Sequence, residues 1–143
     1  MHNRNPIVIV DTDADDRDAY QEVLTQLIKE LDLKNPLLVY AAQSEMLQHL
    51  QTSTISPALI ICELHEKGES GLQLKKTLME DPLYAGVHCP FILLGDHIPE
   101  NEIKRAYQLQ VQGVFEKPFT PADLHLLFSH ILGYWQHCKY FFS

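Results

Sequence analysis

PALIICELHEKGESG, running from Pro57 to Gly71, sets the unbroken apolar run Ala58-Leu59-Ile60-Ile61-Cys62 directly against an acidic residue, Glu63, and a polar loop. An apolar run without polar alternation reads as a strand buried on both faces, the kind found in parallel sheets covered by helices on either side. A carboxylate ending such a strand stands at the carboxyl rim of the sheet, where ligands of open α/β folds bind. Position 63 is therefore the first candidate for chemistry.

The same pattern recurs on both sides of this stretch. Ile7-Val8-Ile9-Val10 reads as a first strand, and the spacing of Tyr20, Val23, Leu24, Leu27, Ile28 and Leu31 gives the following helix one apolar stripe. Pro36 stops that helix from continuing, Leu37 to Ala41 reads as a second strand, and Ser44 is placed to cap a short helix carrying Met46, Leu47 and Leu50. After the third strand, Ala58 to Cys62, the polar loop His65 to Ser70 leads into a helix with Leu72, Leu74 and Leu78 that ends near Asp81-Pro82. Phe91 to Leu94 is the fourth strand. Pro99, in a first helical turn, opens a helix through Ile103, Ala106 and Tyr107, and Gly113-Val114-Phe115 supplies the fifth strand. In the last helix Thr120 is the cap, Pro121 the first turn and Asp123 sits at the positive dipole end; its stripe runs from Leu124 to Trp135. Five strand-helix units predict a flavodoxin-like, doubly wound parallel sheet, (βα)5, with strand order 2-1-3-4-5. Asp11, Glu63, Gly95 and Lys117 each follow a strand and are expected to converge.

Composition narrows the function classes. The chain has 143 residues, 45% of them hydrophobic and 21% charged, which suits one globular domain over 1–143 with no room for a separate output domain. No segment approaches the ~20 apolar residues of a membrane span, and the first residues lack a secretory pattern, so a cytoplasmic location is expected. A net charge of −8 opposes contact with nucleic acid or an anionic membrane and favours a protein partner. Cys62, Cys89 and Cys138 are widely spaced and read as reduced, mostly buried thiols rather than zinc ligands.

Four motifs in one order, IVIVDTDADD (Ile7 to Asp16), PALIICELHEKGESG (Pro57 to Gly71), CPFILLGD (Cys89 to Asp96) and GVFEKPFTPADL (Gly113 to Leu124), resemble the receiver domain of two-component response regulators over nearly the whole chain. The resemblance implies a role in phosphorelay signalling, with position 63 as the phosphoacceptor, Lys117 as the site lysine and a cis peptide bond between Lys117 and Pro118. It also implies a Mg2+ site, here reduced to Asp11, Thr12, Glu63 and the backbone carbonyl of His65. No resident cofactor and at most weak Mg2+ binding are expected.

The departures from the family pattern carry the functional reading. Receivers place an aspartate where Glu63 stands, and the extra methylene moves the carboxylate by roughly 1.5 Å, where about 1 Å of misplacement can cost on the order of 10²-fold in rate. Thr12 stands where a second acidic residue is usual. Asp13 lies one residue on and reads as the cap of the first helix, with Asp15 and Asp16 at its positive end. Gly95 replaces the hydroxyl residue and Val114 the aromatic residue that couple phosphate to the surface, and Lys67 replaces a loop proline. No residue is assigned a catalytic role.

The expectation is thus a stand-alone, pseudo-receiver-like protein that is not an enzyme. It would bind a histidine kinase, a phosphotransfer protein or its own copy through helix four, strand five and helix five. The alternative is a working Mg2+-dependent receiver phosphorylated at Glu63 or Asp13. A flavodoxin-like small-molecule binder is weaker, because the loop after strand one lacks phosphate-wrapping glycines. A Glu63 to Lys117 ion pair that simply fills the site is set against mimicry of a phosphorylated state. His65 and His97, on neighbouring loops, are read as solvated in preference to a transition-metal site. The aromatic end, Tyr134 to Phe142, is read either as a partner contact or as a helix end folded over the domain.

Overall fold

Alternation of side chains along the strands explains the layering of this chain. In the computed structural model, which describes residues 5–53, 55–66 and 69–139, Ile7–Val10 forms β1, Ala14–Glu30 α1, Leu37–Tyr40 β2, Gln43–Thr52 α2 and Leu59–Glu63 β3. Gly71–Glu80 then forms α3, Phe91–Gly95 β4, Glu100–Gln108 α4, Gly113–Glu116 β5 and Pro121–His137 α5. The five strands are parallel in the order β2-β1-β3-β4-β5, as the sequence predicts.

Ile7, Ile9, Leu59, Ile61, Ile92 and Leu94 face Leu24 and Leu27 of α1 and Phe128, Ile131 and Leu132 of α5. The intervening residues Val8, Val10, Ile60, Cys62, Phe91 and Leu93 face Met46 of α2, Leu74 and Leu78 of α3 and Ala106 of α4. Each fully buried Val, Leu or Ile contributes about 1.5–3 kcal/mol, so these two clusters set the register. Tyr20 and Phe128 meet edge to face at 5.5 Å, fastening α1 to α5.

The caps at Asp13 and Thr120 behave as read from sequence, and the structure adds a third at Ser70. Asp13 accepts from the Asp16 amide at 3.0 Å and Thr120 from the Asp123 amide at 3.1 Å, and Ser70 caps α3 through the Leu72 amide. Ser44 does not cap α2, because the helix already starts at Gln43, whose buried side chain donates to the Ser70 carbonyl at 2.8 Å. Pro99 lies just outside α4, in extended backbone with ψ 148°. The expected loop before α3 contains a short antiparallel hairpin of His65–Glu66 and Glu69–Ser70. Among the described residues no helix is long and apolar enough to cross a membrane. The three cysteines form no disulfide with one another, Cys62 being buried and the other two half-buried. Trp135 packs against the α1/α5 core, whereas residues 140–142 of the aromatic end lie outside the described residues, as does Lys67.

Candidate functional site

The ends of β1, β3, β4 and β5 deliver their next residues to one rim. Parallel register fixes this: the Asp11 amide donates to the Tyr40 carbonyl, and the Lys117 amide to the Gly95 carbonyl at 2.9 Å. Between them lies a pocket of about 260 Å³, walled by Asp11, Asp16, Glu63 and Lys117 and by Thr12, Asp13, His65 and Asp96. Gly71 sets the position of the β3 end. A Cβ there would stand 2.6 Å from the Glu63 carbonyl oxygen and 2.5 Å from Leu93 Cδ2, so only glycine lets α3 approach this closely.

Lys117 is the hub of the charges. Its Nζ lies 2.5 Å from Glu63 Oε2 and 2.7 Å from Asp16 Oδ2. Asp11 is buried, and its Oδ1 accepts from the Asp13 amide at 2.8 Å while Arg17 donates to its carbonyl. Asp11 Oδ2 is buried without an N–H or hydroxyl donor.

These carboxylates outnumber the one ammonium, and the titration follows. Burial, reinforced by neighbouring Asp11 and opposed by Lys117, pushes the Glu63 carboxyl up to about 8. Burial likewise raises Asp11, against a lowering hydrogen bond from Glu63. Two facing buried carboxyls thus hold a proton more tightly than either would alone, Glu63 the more strongly. Burial pulls Lys117 down, but Asp16 and Glu63 outweigh it, so the ammonium is held above the usual lysine range. A carboxyl that carries a proton and contacts an ammonium is a poor nucleophile.

Asp11, Asp16 and Glu63 each place an oxygen within 4.8 Å of the others. Hard carboxylate oxygens, one of them buried and lacking a donor, fit Mg2+ or Mn2+. Thr12 and His65 line the same pocket, but the carboxylate completing the group with Asp11 and Glu63 is Asp16. The His65 ring turns away to Glu102 on α4, at 2.8 Å, and no histidine belongs to the metal-ligating groups found among the described residues.

Sequence reasoning treated Asp16 only as a complement to the helix dipole. The available signal was its place three residues after the cap Asp13, because first-turn side chains of a helix lean back over its N-terminus. Asp13 itself is spent on capping, and its carboxylate is held below the usual range by the Asp16 amide.

The expected cis bond before Pro118 is absent: the Lys117–Pro118 peptide is trans. Trans is the intrinsically favoured isomer by about 0.5–1 kcal/mol, and the Lys117 contacts to Asp16 and Glu63 form without the alternative. Above Gly95 the space is tight, since an added Cβ would lie 3.1 Å from Ile98 Cγ1 and 3.2 Å from Leu64 Cβ. The loop carrying Ile98 is tied to β5, because the Glu116 carboxylate accepts from the His97 and Ile98 amides at 3.1 Å each. Val114 is half-buried against the α2–α4 core.

A doubly wound sheet with a lysine and clustered carboxylates at its carboxyl rim defines the receiver class of signalling domain. The chain belongs to the response regulator receiver domain family of two-component signalling, which matches residues 7–129. No curated protein matches it. Its fold is similar to that of the phosphorylated cyanobacterial phytochrome response regulator RcpA, at 18% identity and a TM-score of 0.79 over 98% of this chain and 99% of that one. The Mn2+-bound response regulator Rcp1 is similar at 19% identity, with a TM-score of 0.79 over 97% and 99% of the two chains. The chemotaxis response regulator CheY4 of Vibrio cholerae is similar at 17% identity, with a TM-score of 0.68 over 90% of this chain and 99% of that one.

Proposed function

We propose that this receiver signals through protein contacts without phosphorylation at position 63 and catalyses no reaction. The observation that supports this reading is the closed group of Glu63, Asp11 and Lys117, in which a longer, protonated carboxyl contacts the lysine. Gly95, with Ile98 and Leu64 against it, offers no hydroxyl to respond to a phosphoryl group. Partners of the family's kind, a histidine kinase or a phosphotransfer protein, would dock on α4, β5 and α5. There Tyr107 and Leu126 are half exposed, at 52% and 53%. A second copy of the chain is the other candidate for that face.

The carboxylate trio favours a second element of this reading, retained binding of a divalent cation. Asp11, Asp16 and Glu63 would hold Mg2+ or Mn2+, which supplies neutralisation of carboxylate charge. Asp13, committed to its cap, is a poor candidate for accepting phosphate.

The test is incubation with acetyl phosphate and Mg2+ followed by intact-mass measurement, with amide shifts recorded in beryllofluoride. The expected result is no phosphoryl gain and no shift across residues 95–98 and 114. Glu63→Asp alone stays unlabelled, whereas Thr12→Asp and Gly95→Thr added to it restore part of the labelling. Stoichiometric labelling of the unaltered chain at Glu63 or Asp13 overturns the proposal.

A further inference from the structure

At the other end of the sheet, the starts of β3, β4 and β5 open onto a second pocket of about 600 Å³, a size suited to a small organic ligand. Leu78, Val87, Phe91 and Trp135 give it apolar and aromatic walls. Among the described residues no Asp or Glu lines it, although the chain has 19 acidic residues. Its fixed positive charge is Lys75 on α3.

Lys75 Nζ stands 5.7 Å from the centroid of the Phe91 ring. No carboxylate among the described residues pairs with it. A half-buried ammonium without a counter-charge costs desolvation, and burial pulls Lys75 below the usual lysine range. Packing does not require the charge, because an uncharged chain of similar length would cover Phe91 as well. Two further polar groups of the lining, Gln112 and Cys89, are spoken for or inert. Gln112 accepts from the Phe91 amide at 2.7 Å and donates to the Gln110 carbonyl at 2.8 Å, which fixes a wall. Burial pushes the Cys89 thiol up to about 12, so it stays protonated and unreactive.

We infer that this pocket binds a small aromatic carboxylate, its anionic end on Lys75 and its ring against Trp135 and the apolar wall. One ammonium matches a monoanion. A phosphate dianion calls for additional donors, such as a helix N-terminus or a second cation, and among the described lining residues the one other basic side chain is His88.

Trp135 is the sole tryptophan and serves as the reporter. The full chain is titrated with phenylacetate and with its neutral isostere phenylacetamide, following Trp135 emission and amide shifts. Phenylacetate is expected to perturb Trp135, Lys75 and Val87 and to bind about tenfold more tightly than the amide, the worth of one charge-assisted hydrogen bond. Lys75→Met should remove that preference, and Lys75→Arg should keep it. Absence of phenylacetate binding at millimolar concentration, equal affinity for acid and amide, an unaltered preference in Lys75→Met, or shifts confined to the acidic pocket would each overturn the inference.

Discussion

The two ends of one sheet carry opposite electrostatics. Strands β3, β4 and β5 begin at a pocket with an unpaired ammonium and no described carboxylate, and finish roughly 15 Å further on, where β3 and β5 lead into a pocket crowded with carboxylates around one lysine. Lys117 is enclosed by acids that hold it charged, while Lys75 is desolvated beside the Phe91 ring with no described carboxylate against it. The same residue type is structural at one rim and open to a ligand at the other. Partners, more than burial, decide which.

The largest test of this contrast is Lys117→Met. It leaves three clustered carboxylates without their cation and should cost about 3 kcal/mol at pH 8, measured by urea unfolding, with a smaller loss at pH 5, where protons replace the ammonium. An equal loss at both pH values would show that packing, not charge, is what Lys117 supplies.

Next in size is the pH dependence of the unaltered chain in metal-free buffer. Glu63 binds its proton more tightly folded, at about 8, than at its ordinary 4.5, so its contribution is complete below about pH 4.5 and is lost as pH rises toward 8. The slope should approach, at most, 1.4 kcal/mol per pH unit, about the worth of one proton. Glu63→Gln should flatten it. Lys117, whose folded value is raised, contributes stability that is lost only in strong alkali. A stability that climbs steadily from pH 5 to 8 would remove the proton from Glu63.

A smaller effect is expected of Asp13→Ala, from loss of the α1 cap, read as a modest fall in urea midpoint. The smallest is Lys75→Met, within about 0.5 kcal/mol of the unaltered chain or slightly stabilising. Set beside Lys117→Met, it sharpens the contrast between the two lysines. A loss above about 2 kcal/mol would mean that Lys75 has a structural partner.

Much of this architecture was legible. Unbroken apolar runs such as Ala58 to Cys62 signal buried parallel strands, and strands ending in Asp11, Glu63 and Lys117 must meet if the sheet is parallel. The hidden part has physical causes. Asp16 reaches Lys117 across 101 positions of sequence by leaning from a helical turn, which no local pattern records. The Lys117–Pro118 bond keeps the intrinsically favoured trans isomer, which the motif does not record. The pocket at Lys75 draws on α3, the turn at Pro82–Tyr84, three strand starts and α5, so no contiguous stretch announces it.

Gly71 gives the motif at Pro57 to Gly71 an unexpected durability. What excludes any larger residue there is the backbone oxygen of position 63 and a leucine methyl, neither of which senses how long the acidic side chain is. A glycine held in place by such neighbours reports how closely backbone and helix approach, whatever chemistry the strand end performs.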